Sequence, residues 1–136
     1  MNAHHLLFRT GCFNLSRVSE HFINPCCFGE DLAAWLQNKL ADRGVLSSEP
    51  GQEDWGWYLR AKRGDDSYLL AVNGNSDKGT NQDYGKWRNI VVKKRSIWDR
   101  IKGKGKIADH DQMLEIIEEI LRAEPDFVGV HRDASS

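Results

Sequence analysis

Through its middle third the sequence alternates with a period of two, which commits it to strands. Trp55, Trp57, Leu59 and Ala61 fall on one side of an extended segment, and Gly56, Tyr58, Arg60 and Lys62 on the other. Successive side chains of a strand point to opposite faces, so such a segment demands cover for one face and leaves the other to water. Gly64, Asp65 and Asp66 supply a turn to a second arm at 68–72, making a hairpin. A third strand is predicted over 87–93, where Ile90, Val91 and Val92 are all β-branched. Shorter strands are expected at 6–13, 45–47 and 127–130.

Two segments of helical period supply the cover. Over 30–43 the apolar positions Leu32, Trp35, Leu36 and Leu40 recur at three and four residues, with Glu30 and Asp31 in the first turn and Gly44 just past the end. From Asp109 the series Met113, Ile116, Ile117, Ile120, Leu121 repeats that spacing. Asp109 is the expected cap, Gln112 completes its capping box, and Glu118 and Glu119 face solvent. Pro125 ends the helix, because the residue before a proline is driven out of the α region. The order β, α, several antiparallel strands, α, β predicts an α+β fold: an antiparallel sheet of about five or six strands with two amphipathic helices packed on one face. No internal repeat divides the 136 residues, and one domain over 1–136 is expected.

With 40% hydrophobic and 29% charged residues, the chain has enough apolar surface for a core and lacks the signature of disorder. Apolar stretches are short, Leu69-Leu70-Ala71-Val72 being typical, far from the roughly 20 residues a membrane span needs. The start, Met1-Asn2-Ala3-His4-His5, has neither the basic nor the sustained apolar region of a secretory leader. Three cysteines, Cys12, Cys26 and Cys27, are an odd number with two adjacent, which argues for reduced thiols and a cytoplasmic protein. No cofactor is implied.

Four features could carry chemistry. The segment Glu53-Asp54-Trp55-Gly56-Trp57 pairs two indoles across a glycine, and with Trp87 it offers either an aromatic binding surface or core beneath the helices. Glu53 and Asp54 point to opposite faces of a strand and do not converge as an acid and base. The second feature is the segment 93–106, with seven cations against one acid and with Ile97, Trp98 and Ile101 among them. Lys102, Lys104 and Lys106, beside Trp98, suit phosphate binding with base stacking. Alternatively, the cations answer the acids of 109–126. A net charge of −1 argues against a dedicated nucleic-acid domain. Third, Cys26 and Cys27 precede the first helix, whose dipole favours a thiolate, though no base accompanies them and small buried hydrophobes is the plainer reading. Fourth, the 73–86 segment, rich in Gly, Asn and Asp, reads as a long loop. No paired Cys or His spacing supports a metal site.

The stretch 25–43, the Glu53-Asp54-Trp55-Gly56-Trp57 segment, Trp87 and the 94–105 segment together resemble a set of small, uncharacterised bacterial proteins. The resemblance implies a bacterial setting and a compact domain and carries no activity with it. The residues therefore suggest a non-catalytic interaction or regulatory protein, such as an immunity or adaptor protein, whose partner is another protein. A small enzyme or ligand-binding domain with a pocket between sheet and helices, and a weak anionic-polymer binder, are the alternatives.

Overall fold

The structure, a computed structural model, describes residues 3–13, 28–53, 55–76, 84–94 and 111–133. Six strands form one curled antiparallel sheet: β1 (Ala3–Thr10), β2 (Gly51–Glu53), β3 (Gly56–Arg63), β4 (Asp66–Ser76), β5 (Gly85–Lys93) and β6 (Val128–Asp133). Their spatial order is β2-β3-β4-β5-β1-β6, so the first strand is inserted between the fifth and the last. Among the described residues two helices, α1 (Glu30–Asp42) and α2 (Gln112–Ala123), accompany the sheet.

Register fixes which side chains share a face. Phe8 lies opposite Trp87, Leu6 opposite Asn89, Val72 opposite Trp57 and Leu70 opposite Leu59. These residues, Asn89 apart, join Ala61, Tyr68 and Val91, Leu32, Leu36 and Leu40 of α1 and Met113, Leu114, Ile117 and Leu121 of α2 in a single buried hydrophobic core. Both helices therefore cover the same side of the sheet, as the alternation requires. At one end the core is aromatic: Phe8 stacks on Phe127 at 4.6 Å between centroids, while Phe13 meets Trp87 edge-on at 5.7 Å. The other side of the sheet carries Leu7, Tyr58, Leu69, Arg88 and Ile90, all half-buried.

Several expectations shift. The segment read as a loop from residue 73 is strand as far as Ser76, and β5 resumes at Gly85. Its composition misleads because Gly74 serves packing: a Cβ there would come within 2.5 Å of the Trp87 ring, which lies across it. The 45–47 segment makes only an isolated bridge, Ser47 to Ala61, and the short strand forms instead at β2. The cap of α2 is Asp111, not Asp109; its Oδ1 accepts from the backbone N–H of Met113 at 2.9 Å and of Leu114 at 3.3 Å. Glu118 is not a solvated residue of the polar face. It accepts from Arg132 Nη2 at 2.9 Å and from Arg122 Nη2 at 3.0 Å, tying α2 to β6. Among the described residues no helix is long and apolar enough to cross a membrane.

Candidate interaction surface

Trp55 and Trp57 part company. Trp57 enters the core at 3% exposure, and Trp87 is fully enclosed. Trp55 lies in the turn ahead of β3 rather than on the strand and is 43% exposed. The glycine between the two indoles explains the divergence. Gly56 has φ of 153°, and a Cβ there would sit 2.5 Å from the Val72 carbonyl oxygen, so the space it opens is taken by the chain's own β4 backbone.

With Trp57 inward, its neighbours on β3 must face outward. Tyr58 lays its ring over Gly51 of the edge strand, 6.3 Å from the Trp55 ring. The Arg60 guanidinium sits 5.5 Å from the Tyr58 centroid, within cation–π range. Ser48 extends this edge: its N–H donates to the Arg60 carbonyl at 2.8 Å, and its Oγ accepts from the Arg60 N–H at 2.9 Å. That pairing holds Leu46, two residues earlier, close to β3 with 82% of its surface exposed. The result is a strip of Trp55, Tyr58, Arg60 and Leu46 along one edge of the sheet. Lys62 continues it on the same face as Arg60. Exposed Glu53 of β2 borders the strip.

A second polar cluster lies where β4 and β5 meet the start of α2. The Tyr68 hydroxyl donates to Asp111 Oδ2 at 2.9 Å, and Lys93 Nζ lies 3.6 Å from that oxygen and 3.5 Å from Asp66 Oδ2. Burial, and then the Asp111 carboxylate, raise the phenol's pKa above its ordinary 10, so it stays protonated and donates. Each group here answers another, and the cluster works as a clamp that fixes the helix start to the sheet. Lys93 thus meets an acid of 109–126; the cations of 95–106 lie outside the described residues. On the half-buried side of the sheet, Arg88 Nη1 donates to His5 Nδ1 at 2.8 Å.

Of the residues singled out from sequence, Glu53 and Trp55 belong to the strip, while Trp57 and Trp87 are core. Asp54, Trp98, Lys102, Lys104, Lys106, Cys26 and Cys27 lie outside the described residues. Tyr58 and Arg60 were legible as outward-facing once Trp57 was assigned to the core, whereas nothing in the sequence marks Leu46. No protein-family model, no curated protein and no solved structure matches the chain.

Proposed function

We propose that this protein is a non-catalytic binding module, of adaptor or immunity type, that recognises another protein through the Trp55–Tyr58–Arg60–Leu46 edge. One observation carries the reading: of the three exposed large hydrophobic residues among the described residues, two, Trp55 and Leu46, flank a Tyr–Arg ladder on a single edge. Tryptophan, tyrosine and arginine are the residues most enriched among interface hot spots, and truncating one at the centre of an interface costs about 2 kcal/mol or more. The polar clusters elsewhere are satisfied internally, which favours binding over chemistry. A cytoplasmic, bacterial setting is part of the same proposal and rests on the sequence.

A photo-crosslinking side chain placed at Tyr58 tests it in cells, with the same group at exposed Asn38 of α1 as control. The expected result is one discrete adduct from position 58 and none from position 38. Trp55→Ala should reduce that adduct by about 30-fold in affinity terms. No adduct, or equal adducts at both positions, would refute the assignment.

A further inference from the structure

The register that turns Trp57, Tyr68 and Trp87 into the core turns their strand neighbours to the opposite side of the sheet, where among the described residues no helix lies. On that outer side Tyr58 shares a cross-strand row with Ala71 and Ile90, Asn73 pairs with Arg88, and Lys86 pairs with Arg9. Arg60 and Lys62 follow Tyr58 along β3, both exposed. The acids on this side among the described residues are Glu53 of β2 and Asp133, opposite His5, with exposed Glu49 at the border. Cations therefore predominate on the face.

Two of those cations are stacked on rings, in matching arrangements at opposite corners. Tyr58 lies over Gly51 and has the Arg60 guanidinium 5.5 Å from its centroid; Tyr84 lies against Gly11 and has the Arg9 guanidinium at 5.8 Å. Asn73, Arg88 and exposed Lys86 lie between the two pairs. From the Tyr58 row, which meets β5 at Ile90, to Tyr84 is about 20 Å along the strand, and β3 and β5 are about 10 Å apart, so the pairs stand about 22 Å from each other. A single strand stacked at about 3.4 Å per nucleotide places about six nucleotides over that span, inside the roughly 4–16 held by single-strand grooves. Reading a duplex groove takes a protruding helix or ribbon, and this side offers a sheet face instead. We infer that this face binds single-stranded nucleic acid, with phosphates along Arg60, Arg88 and Lys86 and bases stacked at Tyr58 and Tyr84. Arg60 and Arg9 yield their rings to the incoming bases and turn to the adjoining phosphates. Arg88 spends one N–H on His5 and keeps others for the strand. Tyr58 and Arg60 are shared with the protein-binding edge, whereas Lys86 and Tyr84 lie two strands away from it.

The test is fluorescence anisotropy of the full chain with labelled oligothymidylate and oligouridylate of about ten nucleotides, with a duplex of equal length and with polyglutamate as competitor. Both single strands should bind saturably, the tighter of them showing whether the 2′-hydroxyl is read, and the duplex should bind more weakly. Lys86→Gln should weaken binding about fivefold at about 0.1 M salt and reduce the slope of log affinity against log salt by about 0.7, the share of one phosphate contact. Tyr84→Leu should weaken it about fivefold or more with the slope unchanged, as loss of one stacked base requires. Tyr58→Leu serves if circular dichroism shows that Tyr84→Leu perturbs the fold. Lys39→Gln on exposed α1 removes the same charge from the helical side and should change neither affinity nor slope. Absence of saturable binding at low salt, equal binding of the duplex, or competition by polyglutamate charge for charge would each overturn the inference. So would full affinity in the Lys86→Gln and Tyr84→Leu variants, which would place the site elsewhere on the chain.

Discussion

Replacing Asn89 with leucine should make this protein more stable. Asn89 is fully buried on the inward face of β5, with Leu6 and Val72 directly across from it on the two neighbouring strands. Among the described residues neither its Nδ2 nor its Oδ1 has a hydrogen-bond partner. An amide left unpaired in an apolar site costs about 1–3 kcal/mol by the scale of protein substitutions, and leucine branches at the same carbon with no polar atom to satisfy. Repacking a side chain of similar shape takes back under about 1.5 kcal/mol. The expected net gain is about 1–2 kcal/mol, or roughly 3–10 °C in Tm for a domain of this size. Urea unfolding followed by tryptophan fluorescence measures it, with the m-value unchanged between variant and parent. A loss of more than about 1 kcal/mol at equal m would refute the reasoning, for it would mean that the amide is hydrogen-bonded in the folded protein. Among the described residues Trp87 Nε1, two residues away on the same face, likewise has no hydrogen-bond partner.

Three further outcomes are expected. Asp111→Ala removes the cap of α2 and leaves the Tyr68 hydroxyl without its acceptor; it should cost about 2–3 kcal/mol in chemical denaturation, against about 1 kcal/mol for Tyr68→Phe. Burial pushes the Glu118 carboxyl upward, but hydrogen bonds and charge from Arg132 and Arg122 outweigh it and hold the pKa below its ordinary 4.5. That stability is present above 4.5 and disappears as pH falls through the lowered folded value, so Glu118→Gln should lose about 1–2 kcal/mol at pH 7 and match the parent in acid. Burial, then Arg88, hold His5 below its ordinary 6.5. The unfolded chain therefore binds the proton more readily, stability declines as pH falls below 6.5, and the decline ends beneath the folded value; His5→Gln should flatten that stretch of a stability–pH curve.

Periodicity made the two helices and the inward side of β3, β4 and β5 legible, because burying one face imposes a pattern that survives in any alternating segment. Strand limits were harder to read. Parity places Trp55 and Trp57 on the same side only if the strand begins before both, and Gly56 turns the chain between them. Asn73 and Gly74 look like loop residues because nothing local reports that an indole fourteen or thirteen positions later will lie across the glycine. The insertion of β1 between β5 and β6 depends on pairing between distant segments, to which local pattern is blind. The candidate site is hidden for the same reason: Leu46 reaches Arg60 through Ser48, a contact twelve residues apart in sequence.

Net charge conceals how the ion pairs are distributed. A total of −1 suggests a bland surface, yet the acids of α2 are largely spent within the fold. Glu118 holds Arg132 and Arg122, Glu119 meets Arg43 Nη1 at 2.8 Å, and Asp111, the cap, faces Lys93. Among the described residues Arg60, Lys62 and Lys94 make no such pair, so the helical side is self-neutralised while the cations of β3, with exposed Glu49 and Glu53 near them, are not spent on the helices. At physiological ionic strength the field of exposed charges decays over about 8 Å, so these charges act only on a partner that approaches the edge carrying Trp55, Tyr58 and Leu46. A partner whose charges complement Arg60, Lys62, Glu49 and Glu53 is therefore guided to the place where the aromatic and apolar contacts lie. Its association rate should fall with added salt, while its dissociation rate, set by those contacts, changes little.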